Sequence, residues 1–314
     1  MRILKVLVVG SGSIGKRHAQ NICELGHDCE IVGFRDLVDL ENFLLKDAFD
    51  AVIIATASQV RREVLEPCFR YLIPVYIEKP VAFDSEILNE IYSLPDSYLK
   101  KCFAGFMMRF HPLTKFLLGL DYRDVYSFSF EIGYDVNLWR PDWKFSKSYA
   151  SNPLGGGVLL DLCHEIDLAN LLFPPLTLKD VVCLEHEDFT NVDFVSSLTF
   201  TNSNNLIGSV SMDYLSPVNR RKLVIKSADF IDEIDFLTGV YSRITANGIS
   251  VREFPFERNQ MFIDAIDIFL QSDLPKEKNL PEIPSLDRVK SSCELIVNSW
   301  SNRIFVGSVE GEVF

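Results

Sequence analysis

Residues 5–15 read KVLVVGSGSIG, in which an apolar, β-branched run passes directly into a turn that carries Gly10, Gly12 and Gly15. The amphipathic stretch Ile14–Leu25 follows and is predicted to be helical. In this context the first glycine permits a tight turn, the second lets the backbone approach a pyrophosphate, and the third allows close packing of helix on strand. The first amide groups of the helix favour an anion. The residues expected to contact a dinucleotide here are Gly10, Gly12, Ser13, Ile14 and Gly15.

The chain continues outward from this turn as short β-branched runs that alternate with amphipathic stretches. The predicted strands of this part are Ile3–Val9, Glu30–Phe34, Asp50–Thr56 and Val75–Ile77. Such alternation is typical of a parallel sheet covered by helices. We therefore predict an α/β fold whose N-terminal domain is a Rossmann, doubly wound parallel sheet.

The pattern changes near residue 115. The later predicted strands have antiparallel spacing, and they are Tyr126–Tyr134, Val181–Glu185, Phe194–Phe200, Leu206–Tyr214, Lys222–Lys226 and Phe230–Phe236. The main helix of this part is predicted over Gly157–Phe173. We expect a dinucleotide-binding domain over residues 1–115. Residues 116–314 are expected to form an α+β domain for substrate binding and oligomerisation, built on a large, mostly antiparallel open sheet.

Composition excludes several classes of protein. The chain has 314 residues, enough for two domains, and a net charge of -13 with no basic stripe for nucleic acid. No apolar run approaches the roughly 18 residues that a membrane helix needs. Seven cysteines form an odd set without a CxxC pair, which argues against a disulfide framework or a structural zinc site. We expect a reducing compartment and a cytoplasmic protein.

The end of the second predicted strand bears on the choice of cofactor. An acidic side chain about 20 residues past the glycines would bind the ribose 2'-hydroxyl of NAD, whereas an arginine would cover the 2'-phosphate of NADP. Arg35 stands where it could cover that phosphate, and Asp36 falls one place late for the ribose. The sequence thus leans slightly towards NADP, with a solvated strand-end Arg35 as the alternative. Thr56, at the end of the third predicted strand, is expected to join the cofactor contacts.

Glu78-Lys79-Pro80 ends the predicted strand Val75–Ile77. Open α/β sheets collect their ligands at this carboxyl edge. An X-Pro bond, which could be cis, would hold Lys79 in a fixed position. We therefore place Glu78 and Lys79 at the cofactor, although an isolated lysine of this kind is usually a surface residue.

A run of three glycines, Gly155 to Gly157, leads into a segment with titratable side chains. If this segment is helical, Asp161, His164 and Asp167 lie along one face. A histidine suits proton transfer near neutral pH, and a nearby carboxylate can orient its ring. The alternative is a capped helix with a buried, hydrogen-bonded histidine. Cys163 would point away from His164, and no metal is expected.

Six ordered signatures of the chain resemble the glucose-fructose oxidoreductase / inositol dehydrogenase / MocA family of NAD(P)-dependent sugar oxidoreductases. They are the glycine turn, Asp50–Arg61, Glu78-Lys79-Pro80, Gly105 with Arg109-Phe110-His111-Pro112, the glycine run with His164, and Arg221–Ile225. The resemblance implies that Lys79, His164 and Asp161 flank the nicotinamide and the reacting carbinol as catalytic residues. It also implies a homo-oligomer, a dimer or tetramer packed through the sheet of the second domain.

The chain departs from the family pattern at two places. Asp161 and His164 are three apart where many members have them four apart, which resembles relatives acting on nucleotide-linked or nonulosonic sugars. Ala57 and Arg61 stand where the family usually has a proline and a histidine, which leaves cofactor contacts there open.

Residues ahead of the glycine run are rich in aromatic and charged groups. Sugar rings stack on aromatic faces, and an arginine can bind a carboxylate or a phosphate. An ordered surface loop anchored by tryptophans is the alternative. The residues that we assign to the substrate, besides Asp161 and His164, are Arg109, Trp139, Arg140, Trp143 and Tyr149.

Together these observations predict an NAD(P)-dependent oxidoreductase that moves a hydride between nicotinamide and a carbinol or ketone carbon of a sugar, sugar acid or nucleotide sugar. One alternative is a redox-assisted glycosidase or epimerase on the same fold. Another is a nonenzymatic sensor of NAD(P) redox state, although a sensor has no need of Lys79 and His164.

Overall fold

The computed structural model describes residues 2–36, 40–138, 144–271 and 280–313. The strands in chain order are β1 (Lys5–Val9), β2 (Asp28–Val32), β3 (Ala51–Ile54), β4 (Val75–Ile77), β5 (Phe103–Ala104), β6 (Val125–Asp135), β7 (Thr177–His186), β8 (Phe189–Thr201), β9 (Ile207–Asp213), β10 (Leu215–Ser227), β11 (Ile231–Asp235), β12 (Val240–Thr245), β13 (Gly248–Glu253) and β14 (Ile304–Val309). The helices are α1 (Ser13–Glu24), α2 (Leu40–Asp47), α3 (Arg61–Arg70), α4 (Ser85–Tyr92), α5 (Asp96–Leu99), α6 (Pro112–Leu117), α7 (Val158–Asp161), α8 (His164–Leu172), α9 (Arg258–Leu270) and α10 (Leu286–Ser301).

The chain forms two compact units, and each is built from two segments. The first unit contains Met1–Phe110 and Glu257–Cys293, and the second contains His111–Phe256 and Glu294–Phe314. The sequence-based division places one boundary at residue 115. It therefore does not include Glu257–Cys293, where the chain returns to the first unit. That return has a physical basis, because α9 packs on α1 through apolar and amide contacts within the first unit.

The first unit is built on a five-stranded parallel sheet in the order β2-β1-β3-β4-β5. Apart from Lys5 at the start of β1, the residues of β1, β3 and β4 are mostly apolar and buried on both faces, as expected for a parallel sheet between helices. The predicted α/β class and Rossmann-type sheet are therefore confirmed. The segments that follow these strands meet at the same edge of the sheet.

The second unit is built on a nine-stranded sheet in the order β13-β12-β11-β10-β6-β9-β8-β7-β14. The pairs β6–β9 and β7–β14 are parallel, and the other neighbours are antiparallel, which confirms the predicted α+β unit on a mostly antiparallel sheet. Helices α7 and α8 pack on one face. The side chains of Phe128, Phe130 and Ile132, which alternate along β6, are buried.

The helix predicted over Gly157–Phe173 is two helices, so the prediction of one continuous helix was wrong. Helix α7 ends at Asp161 and α8 begins at His164. Between them Leu162 has φ -107° and ψ 26°, which departs from helical geometry and interrupts the hydrogen-bond ladder. Asp161 and His164 therefore lie on different helices.

Across the described part of the chain, none of the helices combines the length and the apolar character that crossing a membrane demands.

Candidate active site

The glycine turn after β1 has the geometry that a pyrophosphate site requires. Gly10 has a φ of +119°, and a Cβ there would lie 2.5 Å from the Ala55 carbonyl oxygen. A Cβ on Gly15 would collide with the Gly10 carbonyl oxygen, so close packing of α1 on the turn also needs glycine. Around Gly12, the N-cap of α1, no described atom lies within 4 Å of where a Cβ would be. An anion can therefore reach the amide groups at the start of α1.

Thr56 adds a polar group beside this turn. Thr56 follows β3, the neighbour of β1 in the sheet. It lies close to the turn, because a Cβ added at Gly10 would be 3.1 Å from the Thr56 backbone nitrogen. Thr56 is buried, and its Oγ1 has no hydrogen-bond partner among the described residues. A buried hydroxyl without a partner is costly, so a ligand or a water molecule is expected to satisfy it. The open turn and this hydroxyl together fit a bound dinucleotide.

Arg35 and Asp36 form a short 3₁₀ turn after β2, and both are exposed. The Asp36 carboxylate lies against Gly33, so close that a Cβ added at Gly33 would collide with it. The same Cβ position lies 3.1 Å from Ser11 Oγ, so Asp36 is close to the glycine turn. The structure therefore places a carboxylate beside the glycine turn, on the same short segment that carries the predicted arginine.

Lys79 follows β4 at the same edge of the sheet, and the Lys79–Pro80 peptide bond is cis. Glu78 is buried, and its Oε1 lies 2.7 Å from His18 Nε2 of α1. Burial alone would raise the pKa of Glu78. The hydrogen bond and charge of His18, together with the charges of Lys79 and Arg61, outweigh burial and hold that pKa below its usual value. Glu78 is thus a buried carboxylate of fixed orientation, and its contact with the cofactor stays a prediction.

Arg61 and Arg109 are the buried arginines of this unit that the sequence analysis singled out, and both bind backbone carbonyls. Arg61 donates to the carbonyl oxygens of Thr56 and Glu78, at 2.8 and 2.6 Å, and to that of Pro80. Arg109 donates a long 3.4 Å bond to the Pro281 carbonyl oxygen. The substrate-binding role assigned to Arg109 therefore stays a prediction.

In the second unit the glycine run is anchored by a buried ion pair that the sequence analysis missed. Gly157 has a φ of +92°, and a Cβ there would collide with the carboxylate of Asp193. Asp193 is fully buried, accepts 2.8 Å bonds from the Leu159 N–H and the Ser196 hydroxyl, and pairs with Arg303. This carboxylate therefore fixes the start of α7.

Asp161, at the end of α7, accepts hydrogen bonds from three tyrosines. The Tyr149 hydroxyl donates to Oδ1 at 2.6 Å, while those of Tyr134 and Tyr214 donate to Oδ2 at 2.8 and 3.2 Å. Burial is the main reason that the pKa values of Tyr134 and Tyr214 lie far above 10, so both hydroxyls keep their protons. Tyr149 is 42% exposed, whereas Tyr214 is fully buried.

His164 begins α8 and is 6% exposed. The next residue, Glu165, is fully buried, and its Oε1 lies 2.9 Å from Arg221 Nε of β10. This ion pair ties the first turn of α8 to the sheet and so fixes the backbone that carries His164. Of the predicted substrate residues, the structure brings Tyr149 to Asp161, while Trp139, Arg140 and Trp143 lie outside the described residues.

Within the described segments, no cluster of three or more His, Cys, Asp or Glu side chains is arranged to hold a metal ion.

Sequence reasoning missed several residues that support the predicted site, among them Glu165 beside His164. His18 carried a usable signal, because it lies three residues after Gly15 and so faces the same side of α1. Four others carried no such signal, because each reaches the site from a distant part of the chain or belongs to an ordinary strand. They are Tyr134, Asp193, Tyr214 and Arg303.

Comparison with known proteins gives a partial sequence match and a match of the whole fold. No family model matches the sequence. The chain is 31% identical over 128 residues to the inositol 2-dehydrogenase of Corynebacterium glutamicum (strain R), and this match covers 35% of the chain and 38% of that protein. The chain thus spans well under half the length of the curated relatives that it matches.

Solved structures match over nearly the full length. One is the UDP-N-acetylglucosamine 3-dehydrogenase from Acidithiobacillus ferrooxidans, with a TM-score of 0.77 and 17% identity over 96% of this chain and 98% of that one. Another is an inositol dehydrogenase homologue from Azotobacter vinelandii complexed with NADH and myo-inositol, with a TM-score of 0.75 and 12% identity over 96% of each chain. At these identities the likeness shows the fold. The partial sequence match and the shared fold agree with the resemblance of the ordered motifs to the glucose-fructose oxidoreductase / inositol dehydrogenase / MocA family.

Proposed function

We propose that the protein is an NAD(P)-dependent oxidoreductase acting on a carbinol or ketone carbon of a sugar, sugar acid or nucleotide sugar. One observation carries the proposal. Lys79 follows β4 at the sheet edge where the glycine turn after β1 opens, so an ammonium and an anion site share one edge of the sheet. The names of the relatives, which include inositol and UDP-N-acetylglucosamine dehydrogenases, support a sugar-like substrate.

The residues proposed to hold the cofactor are Gly10, Gly12, Ser13, Ile14, Gly15, Arg35, Thr56, Glu78 and Lys79. The open start of α1 suits the pyrophosphate, and the Thr56 hydroxyl supplies a donor in a buried position. A bound nicotinamide would supply the hydride acceptor or donor.

His164 is proposed to take the proton of the reacting hydroxyl, or to return it in the reverse direction. Lys79 donates a hydrogen bond to the same oxygen and stabilises the negative charge that develops on it. For Asp161 we propose a positioning part in place of the catalytic one that the resemblance implies. Because both of its oxygens accept phenol hydrogen bonds, it is proposed to orient Tyr149 rather than to exchange protons.

The choice between NAD and NADP depends on Arg35 and Asp36. The proposed preference for NADP rests on Arg35, which is exposed and free to swing over a phosphate. NAD is the second candidate, because the Asp36 carboxylate lies near Ser11 and would repel a 2'-phosphate there.

We also propose a homodimer or homotetramer that packs through the nine-stranded sheet. On the face of this sheet opposite α7 and α8, Ile207 is 61% exposed, and Glu131 and Arg220 form an exposed 2.7 Å ion pair. Light scattering of the purified protein tests the proposal, and a monomer at all concentrations would contradict it. A cytoplasmic location also stays a prediction.

The decisive experiment is an absorbance screen at 340 nm with NAD, NADP and their reduced forms against inositols, free sugars, sugar acids and nucleotide sugars. We expect stoichiometric production or consumption of reduced cofactor with one of these classes. Product formation without net change in cofactor would indicate the glycosidase or epimerase alternative. Tight cofactor binding with no turnover of any class would indicate the sensor.

A further inference from the structure

Arg61, the first residue of α3, occupies an unusual position for an arginine. It is only 2% exposed, and both terminal nitrogens of its guanidinium donate to backbone carbonyls. Nη2 donates to Thr56 at the end of β3, and Nη1 donates to Glu78 and to Pro80 after β4. One side chain therefore connects the ends of two neighbouring strands.

The carbonyls held by Nη1 lie on either side of Lys79. The Glu78 carbonyl belongs to the peptide plane that enters Lys79, and the Pro80 carbonyl belongs to the plane that follows the proline. Because a peptide unit is planar, fixing its oxygen restricts the orientation of the whole unit. The direction of the Cα–Cβ bond of Lys79 is thereby limited.

The entering peptide plane is held from its other side as well. The Lys79 N–H lies 3.2 Å from Glu78 Oε2, while Glu78 Oε1 is engaged by His18. Gly105 leaves room for this carboxylate, because a Cβ there would lie 3.0 Å from it. Arg61 and the His18–Glu78 pair therefore hold the same peptide unit at its oxygen and at its nitrogen.

A lysine could not reproduce this arrangement. Its ammonium is a single point, whereas the guanidinium places two nitrogens at a fixed separation. An ammonium near the Glu78 and Pro80 carbonyls would leave the Thr56 carbonyl without its donor. The contacts therefore depend on the shape of the guanidinium and not only on its charge.

We propose that Arg61 is a positioning residue that sets the direction of the Lys79 side chain for hydride transfer. The proposal rests on the proposed function, in which Lys79 binds the reacting oxygen. Arg61 itself touches neither substrate nor cofactor in this account. Arg61 affects the rate indirectly, because it fixes the backbone on both sides of Lys79.

The test compares Arg61→Lys and Arg61→Gln with the neighbouring variant Arg62→Gln. Arg62 is an exposed surface residue that pairs with Glu86 and Glu90, so its replacement is expected to leave activity unchanged. We expect kcat to fall about 10-fold to 100-fold in the two Arg61 variants, since small misplacements near the reacting atoms have effects of that size. The KM for the cofactor should change far less than kcat.

The deuterium isotope effect separates positioning from partial unfolding. With reduced cofactor that carries deuterium at the transferred position of C4, and with turnover measured in the direction of substrate reduction, a misplaced Lys79 slows the hydride step and raises the isotope effect on kcat. A smaller folded fraction would lower the apparent kcat and leave the isotope effect unchanged. Arg61→Lys with wild-type kcat and isotope effect would overturn the proposal.

Two further measurements distinguish this proposal from the proposed function. If Lys79→Ala keeps full turnover while Arg61→Lys loses it, Arg61 does not act through Lys79 and the proposal is wrong even though the protein is an enzyme. A crystal structure of Arg61→Lys gives a readout without turnover. We expect rotated peptide planes at Glu78–Lys79 or Pro80–Val81, and an unchanged Lys79 backbone would overturn the proposal whether or not the screen finds a substrate.

Discussion

Tyr149 donates a 2.6 Å hydrogen bond to Asp161 Oδ1, so an exposed aromatic ring is tied to the buried end of α7. The two other phenols that reach Asp161 use its second oxygen, and they come from β6 and from the turn after β9. The carboxylate is therefore a common acceptor for three segments of the second unit. This arrangement makes Asp161 a residue on which both stability and the shape of the predicted substrate region depend.

The Asp161 substitutions test that role through stability. Asparagine offers one acceptor oxygen in place of two, so at least one phenol loses its acceptor, and we expect Asp161→Asn to lower the free energy of unfolding by about 1 kcal/mol. Alanine removes both oxygens and should cost about 3 kcal/mol. Urea denaturation followed by circular dichroism gives both values. Asp124→Asn, at an exposed aspartate, is the matched control, and equal effects at the two positions would refute the role.

Lys79→Ala and His164→Asn are expected to lower kcat by about 10²-fold to 10⁴-fold, because each removes a hydrogen-bonding or proton-transferring group at the reacting oxygen. Steady-state kinetics with the substrate found in the screen supply the measurement. If both side chains act on one oxygen, the double variant should lose less than the product of the single losses. If the kcat of the double variant instead falls by the full product of the two single losses, Lys79 and His164 act in separate steps.

The cofactor preference is expected to respond in opposite directions to Arg35→Ala and Asp36→Ala. Loss of Arg35 removes a partner for the 2'-phosphate and should raise the KM for NADP about 10-fold while leaving that for NAD unchanged. Loss of Asp36 removes repulsion of that phosphate and an acceptor for the ribose, so NADP should improve relative to NAD. Initial rates with NAD and with NADP give the cofactor preference of each variant. An NADP-to-NAD ratio that moves the same way in both variants would contradict the assignment.

His111 gives the second unit a pH-dependent stability. It is fully buried, its Nδ1 accepts from the Leu113 N–H at the start of α6, and burial lowers its pKa from 6.5 to about 4. The neutral ring stabilises the fold fully above pH 6.5. As the pH falls from 6.5 to about 4, the unfolded chain takes up the proton first, and as much as about 3 kcal/mol of stability is lost.

Urea midpoints measured at pH 7.5 and pH 4.5 check this expectation. His111→Asn keeps a good N-cap but cannot titrate, so its midpoint should change less between the two pH values. An identical pH dependence in the variant and the wild type would show that other groups are responsible.

The sequence predicted the fold class and the glycine turn because both rest on local patterns. The run Val6 to Val9 and the glycines after it determine strand and turn within a few residues. The break at Leu162 was missed because its sequence is compatible with helix, and the interruption arises where two short helices are fixed separately by Asp193 and by Glu165. Only the folded chain brings these side chains to the glycine run.

The site was predictable only in part for the same reason. Lys79 and His164 lie in recognisable motifs, but their supports do not. Arg61 looked like a departure from the family pattern, and its contacts with three carbonyls depend on the pairing of β3 with β4. Likewise, the three tyrosines of Asp161 come from positions separated from it by 12 to 53 residues along the chain.

The divided first unit has a consequence for synthesis of the chain on the ribosome. Phe262 packs against His18, and Phe269 packs against Tyr76, so helix α9 closes the core around the first two turns of α1 and the middle of β4. The nascent N-terminal sheet cannot complete this core until about 270 residues have been translated, after most of the second unit has emerged. A shortened gene that ends at residue 115 would therefore encode an unfinished core and not a minimal nucleotide-binding module.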